Sequence, residues 1–256
     1  MAAVSKILIV NSNASREATR AIEQACAPFA DGTASLDFAT AAAGAEGIDS
    51  LLDMTLAAVE TARIVAAQRD RYDGFVVACG VDPGLDAARQ VTGKPVVGIA
   101  EAALLYAWPL GLRYSILTTG KASVASLDQL IRAKGLDARL ASIAAVEATT
   151  TGMMDDDGEG LYGAFLAAAR EEIEESLAEV LVVTGSIMTP LASRLQADTG
   201  VPVVSGLLCA LTLVRSLIAL GLRTSHRYSY ATPAKLDRLV GYDDLAPVYS
   251  AAQNIP

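Results

Sequence analysis

Along this chain, short runs that are apolar at nearly every position alternate with longer stretches in which apolar residues recur at helical spacing. The runs are KILIV (Lys6–Val10), GFVVAC (Gly74–Cys79), PVVGIA (Pro95–Ala100), YSILTT (Tyr114–Thr119), VLVVTG (Val180–Gly185) and VPVVSG (Val201–Gly206). Continuous rather than alternating apolarity predicts strands covered on both faces, as in a parallel sheet. Between them, Ser15–Phe29, Ser123–Gly135, Leu161–Val180 and Leu207–Gly221 carry helical periodicity. Several of these stretches begin at Ser or Thr caps and two close on glycine. Strands alternating with helices predict an α/β fold with parallel sheets.

The pattern also repeats. Each half holds a strand ending in a small-residue turn, Cys79–Gly80 or Gly185–Ser186, followed by a helix and then a G-x-P-V-V strand, TGKPVVG or TGVPVVS. We therefore expect two pseudo-symmetric lobes, each a parallel sheet flanked by helices, with the active site in the cleft between them. Residues 1–98 plus 208–256 are assigned to lobe 1 and 99–207 to lobe 2. The ligand site is expected at the carboxyl ends of the strands, where open parallel sheets bind ligands.

Composition narrows the function. The 256 residues can bury real cores, and 52% hydrophobic with 19% charged residues describes an ordered globular protein. A net charge of −9, with no Lys/Arg cluster, argues against a nucleic-acid partner. MAAVSKILIV lacks the apolar core of a signal peptide, and no apolar run approaches the ~18 residues of a membrane span. A cytoplasmic protein with no membrane partner is expected. Three widely spaced cysteines, Cys26, Cys79 and Cys209, form neither a disulfide framework nor a CxxC pair. With a single histidine, His226, no His-based metal centre or triad is expected, and no metal site is assigned.

Collected by position, the strand ends offer Asn11, Ser12, Asn13, Ser15, Cys79, Thr118, Thr119, Thr184, Gly185 and Ser186. Small hydrogen-bonding groups and helix N-termini can hold a carboxylate or an imide without a charged side chain. No phosphate-loop or dinucleotide fingerprint follows a strand. Cys79, exposed by the Gly80 turn and the DPG after it, is the candidate acid–base or nucleophilic thiol. Cys26 and Cys209 read as core residues, His226 as a surface residue, and DDDGEG (Asp155–Gly160) as a solvated loop.

Several of these segments carry a resemblance. VNSNAS (Val10–Ser15), ACGVDPGLDAARQVTGKPVVGIAEAA (Ala78–Ala103), YSILTT, GLDARLAS (Gly135–Ser142) and the stretch from Gly200 to Ser225 resemble the hydantoin racemase branch of the aspartate/glutamate racemase superfamily. The similarity runs from Lys6 to about Ser229. It implies an isomerase without metal or organic cofactor, working as an assembly of identical chains. Two cysteines on opposite faces of the substrate would exchange the proton on the carbon next to a carbonyl. Cys79 occupies the first cysteine position. Asn13 matches the substrate loop, with Ser15 nearby, and Thr118 and Thr119 match paired threonines. Gly80, Gly185, Ser186 and Ile187 fall on the facing turns.

The second cysteine is absent. Ungapped, Gly185 stands in its place; shifted by one residue, Ser186 does. The resemblance thus implies a cofactor-independent racemase/isomerase-type enzyme with a single catalytic thiol, acting on a small carboxylate or a hydantoin-like cyclic imide. Alternatives within the superfamily are a decarboxylase or carbon–carbon isomerase-lyase, similar to arylmalonate decarboxylase or maleate isomerase, or an inactive ligand-binding paralogue.

Overall fold

Two parallel sheets of identical topology follow one another along the chain. The computed structural model describes residues 4–29, 32–147, 159–233 and 239–250. Strands β1 (Ser5–Asn11), β2 (Ala34–Thr40), β3 (Gly74–Val77) and β4 (Val96–Gly98) form the first sheet, in the order β2-β1-β3-β4. Strands β5 (Tyr114–Thr119), β6 (Leu140–Val146), β7 (Val180–Val183) and β8 (Val203–Ser205) form the second, in the matching order β6-β5-β7-β8. In the first sheet Val10 lies opposite Ala39 and Val77. In the second, Leu117 lies opposite Ala144 and Val183.

The α-helices among the described residues are α1 (Arg16–Cys26), α2 (Leu51–Gln68), α3 (Leu85–Val91), α4 (Ile99–Ala107), α5 (Ala122–Ala133), α6 (Glu159–Glu174), α7 (Thr189–Thr199), α8 (Gly206–Ala219) and the short α9 (Ala246–Ser250). Helix α1 forms because the Ser15 side chain caps it, accepting from Ala18 N, and because Ala18, Ile22 and Cys26 recur every four residues on its buried face. Helix α2 opens on the capping box Ser50-Leu51-Leu52-Asp53, with Ser50 Oγ accepting from Asp53 N at 3.1 Å. Among the described residues no helix is long and apolar enough to cross a membrane.

Both faces of each sheet are covered, which explains the continuous apolar runs. Helices α1 and α8 pack on one face of the first sheet through Ile22, Leu207, Leu211 and Val214 against Ile7, Ile9 and Val76. Val65 of α2 and Leu85 and Ala88 of α3 cover the other face. Helices α4 and α5 pack on the second sheet through Leu104, Leu127 and Ile131 against Tyr114, Ile116 and Val182. Helices α6 and α7 cover its far side. Thus α4, which leaves the first sheet, covers the second, and α8, which leaves the second, covers the first. Each fully buried Ile, Leu or Val side chain contributes about 1.5–3 kcal/mol.

The elements differ from the sequence pattern in three respects. Strands end sooner than the apolar runs: GFVVAC is a strand only to Val77, and PVVGIA turns into α4 at Ile99. Strands β2 and β6 are additional, as are helices α2 and α4, whereas α3 and α7 are the helices expected between each small-residue turn and its G-x-P-V-V strand. Within DDDGEG, residues 155–158 lie outside the described part, while Glu159 and Gly160 are not loop but the first turn of α6.

Candidate active site

The first turn after β3 and the first turn after β7 meet across the cleft. A Cβ at Gly80 would stand 2.8 Å from Gly185 N, closer than any side chain tolerates. Glycine is therefore required at position 80 for the two turns to touch. The turns are internal counterparts, bond for bond. Ala78 N donates to Val10 O and Thr184 N to Leu117 O. Asp82 N then donates to Cys79 O at 3.0 Å, and Met188 N to Gly185 O at 3.1 Å. By this correspondence Gly185 is the structural counterpart of Cys79, and Ser186 that of Gly80.

Between the turns lies a cavity of about 90 Å³. Of the residues singled out from sequence, Asn13, Cys79, Gly80, Thr118, Thr119, Gly185, Ser186 and Ile187 all line it. Ser15 does not: its hydroxyl caps α1. Asn11 and Thr184, from the same strand-end set, also line the cavity, whereas Ser12 is tied to Thr61 Oγ1 at 2.9 Å. Ile48, Asp49, Ser123 and Met188 line it without having been singled out. Asp49 precedes the Ser50 cap of α2, so the capping box was the one sequence signal that could have brought it to attention.

Asn13 is held for a purpose that its geometry makes plain. Its Oδ1 accepts from Asn11 Nδ2 at 2.7 Å and from Ser15 N at 3.0 Å. Asn11 Nδ2 also donates to Ser15 O and to Thr19 Oγ1, both at 3.0 Å. The carboxamide oxygen is thereby fixed, and its Nδ2 donors are left without a partner among the described residues, facing the cavity. On the opposite lobe, Ser186 Oγ donates across the interface to Ala78 O at 3.2 Å. Its hydroxyl is committed to holding the lobes, which leaves the Gly185 and Ser186 N–H groups as donors toward the cleft.

Cys79 keeps some exposed surface, and that surface opens into the cavity. Protein packed around its other sides desolvates the sulfur and pushes the thiol up to about 12. The Val81 and Gly80 N–H groups act in the opposite direction, while the Asp82 and Asp49 carboxylates push it further up. At neutral pH the resting thiol is therefore protonated. Among the described residues Asp49 and Cys79 are the only ionisable side chains on the cavity wall, and no Lys, Arg or His lines it.

The other two thiols are elsewhere. Cys26 is buried in the core of the first lobe, and burial pushes it to about 12. Cys209 of α8 packs against the cores of both lobes and is pushed to about 11 by burial. His226 is not a plain surface residue: it is half-buried, its Nδ1 sits 3.1 Å from Thr232 Oγ1, and its Nε2 is shielded without a hydrogen-bond partner. Among the described residues no group of three or more His, Cys, Asp or Glu side chains is placed to hold a metal.

Known proteins share this arrangement. Residues 7–214 match the family described as Asp/Glu/Hydantoin racemase. A hydantoin racemase from Pseudomonas sp. (strain NS671) is 30% identical over 233 residues, covering 90% of this chain and 92% of that protein. The structure of an allantoin racemase from Klebsiella pneumoniae superposes with a TM-score of 0.89 at 30% identity, over 94% of this chain and 98% of that one. An allantoin racemase from Pseudomonas fluorescens superposes with a TM-score of 0.88, also at 30% identity, over 92% and 100% of the two chains.

Proposed function

Because the chain belongs to the Asp/Glu/Hydantoin racemase family, we propose that it is a cofactor-independent racemase-type isomerase in which Cys79 is the single catalytic thiol. The substrate proposed is a small neutral cyclic imide of the hydantoin type. One observation carries this choice over a free carboxylate: among the described residues the cavity wall offers amide, hydroxyl and backbone donors with no cation and one carboxylate, Asp49. A carboxylate substrate would meet Asp49 and an uncompensated desolvation cost, whereas an imide ring needs only hydrogen bonds.

In the reaction, the Cys79 thiolate takes the proton from the carbon next to the carbonyl. The electron pair moves onto the carbonyl oxygen, and the resulting enolate is held by donors already aimed into the cleft. Asn13 Nδ2, the Thr118 and Thr119 hydroxyls and the Gly185 and Ser186 N–H groups are the candidates, each good donor supplying a few kcal/mol. The Gly80 and Val81 N–H groups hold the sulfur while it is charged. Return of the proton from Cys79 regenerates the starting configuration. On the Gly185 side there is no side chain, so inversion takes its proton from a water molecule on that face, and Cys79 gives up the abstracted proton to the hydroxide equivalent left behind, which restores the thiolate.

The test is incubation with a 5-substituted hydantoin in deuterated water. Deuterium at C5 should appear faster than optical activity decays, and both rates should rise with pH through the neutral range, because the thiolate fraction grows about tenfold per pH unit below the thiol's pKa. Cys79→Ala should lower both rates by at least about 10³-fold with the fold intact. Undiminished exchange in that variant would remove Cys79 from the chemistry. Product lacking carbon dioxide, or a rearranged double bond with malonate or maleate substrates, would favour lyase or isomerase chemistry of the superfamily instead. Binding without any exchange would mark an inactive paralogue.

The wider proposal includes lobes of residues 1–98 with 208–256 and 99–207, a cytoplasmic location and an assembly of identical chains. The crossing of α4 and α8 between the sheets supports the first, and light scattering on the purified chain tests the last.

A further inference from the structure

At the amino ends of the first sheet's strands, far from the cleft at their carboxyl ends, lies a second cavity of about 250 Å³. It forms where four separate stretches of chain meet: the end of α2, the turn before β4, the segment after α8 and the short helix α9, which supplies Val248. Each of the first three contributes a cation to the wall, Arg69, Lys94 and Arg223 respectively. In a chain of net charge −9, three cations converging on one small cavity are unexpected. Arg69 and Lys94 are half-buried and Arg223 is exposed at the rim, and like charges gathered in this way repel unless an anion compensates them.

The compensation within the protein is slight. Among the described residues Asp70 is the only acid on the wall; its side chain is 92% exposed and lies 3.7 Å from Arg69 Nε. Arg69 is further tied through Nη2 to Pro247 O at 3.1 Å, which sets it as a fixed wall. Lys94 Nζ and the Arg223 guanidinium have no ion-pair or hydrogen-bond partner among the described residues. Buried Thr92 also lines the cavity; its Oγ1 accepts from Lys94 N at 3.3 Å, and its own O–H has no acceptor among the described residues. His226 forms another part of the wall, oriented by Thr232, with its Nε2 unsatisfied beside Gly93.

We propose that this cavity is a binding site for a small oxyanion of the phosphate type, free or as a phosphomonoester, held by Lys94, Arg223 and the Thr92 hydroxyl and separate from the Cys79 cleft. Charge-assisted hydrogen bonds from Lys and Arg, with a hydroxyl donor, are the usual means of holding such a group. Because its wall joins α2, the β4 turn and the segment after α8, an occupant would tie that segment to the first lobe.

The chain's single histidine makes the test direct. In untagged protein, the imidazole carbon- and nitrogen-bound protons give one set of NMR signals, and His226 sits on the wall. Inorganic phosphate, titrated at constant ionic strength, should shift those signals saturably. Methyl phosphate in a parallel titration separates a monoester site from one that takes only the free ion. Lys94→Gln and Arg223→Gln should each weaken binding at least about tenfold, the double variant should abolish the response, and Lys94→Arg should retain it. Phosphate should raise the melting temperature of the parent protein but not of the double variant, whose fold is checked by far-ultraviolet circular dichroism. Signals that ignore both phosphates, that respond equally to chloride, or that shift alike in a folded double variant would overturn the site.

Discussion

Residue 185 shows how much one side chain decides here. Its backbone has φ +96°, a conformation that side chains rarely adopt, yet an added Cβ would meet only Met188 Cγ, at 3.5 Å. The obstacle to a residue larger than glycine is therefore backbone strain of about 1–3 kcal/mol, not space. Gly185→Cys should accordingly lower stability by that amount in urea unfolding while raising racemisation of a 5-substituted hydantoin at least about tenfold, because a thiol then faces Cys79. Ser186→Cys should gain nothing, since position 186 directs its side chain toward Ala78 O. A rise with Ser186→Cys alone would reverse the correspondence between the turns. The missing thiol was evident from the residues themselves. Which residue stands in its place was not, because a one-residue shift leaves the sequence match equally good, and only the hydrogen bonds to Val10 O and Leu117 O choose between them.

At the scale of the element, the turn behind Cys79 is tied to helix α4 by one carboxylate. Asp82 accepts from Ala100 N at 3.0 Å and Glu101 N at 2.8 Å, which caps α4 and anchors the turn. Gly98 must lack a side chain, since a Cβ there would stand 2.2 Å from that carboxyl group. Burial pushes Asp82 up to about 7, against the helix N–H groups, which favour its ionised form. Its folded pKa thus lies above the unfolded value. The group contributes stability that is fully present below about pH 4 and is lost as pH rises through about 7. Asparagine tolerates the positive φ of 46° at this position and mimics the protonated acid. Between pH 5 and pH 8 the parent should therefore lose about 2–3 kcal/mol relative to Asp82→Asn in urea unfolding. Parallel profiles for the two proteins would show that Asp82 stays in one charge state. Elements of this kind are only partly legible: DPG announces a turn, but not that its aspartate caps helix α4 by accepting from Ala100 N, eighteen positions later.

The whole molecule is held together by exchange between its halves. Helix α4 covers the second sheet and α8 the first, Ser186 bonds to Ala78 O, and Arg89 of α3 pairs with Glu101, which lies 3.2 Å from Lys134 at the end of α5. Neither lobe has a complete core alone, so unfolding should be a single transition. Trp108, the one tryptophan, sits just after α4, where the Arg139 guanidinium lies 4.0 Å from its ring centroid. Its fluorescence and far-ultraviolet circular dichroism should report the same denaturation midpoint; separate midpoints would mean independently stable lobes. The sequence by itself determined the strands buried on both faces, since ILIV (Ile7–Val10), GFVV and VLVV have no polar side chain to offer water. It determined the duplication through the two G-x-P-V-V strands, and the Cys79 turn through its glycine and DPG. It could not disclose β2, where ASLDFAT alternates polar and apolar residues at a sheet edge, or β6, where LASIAAV is rich in weak strand formers. Nor could it place Asp49 in the cleft or bring Arg69, Lys94 and Arg223 together. Periodicity records which face of an element is buried, whereas the meeting of residues distant in sequence is decided only when both sheets and their exchanged helices have packed.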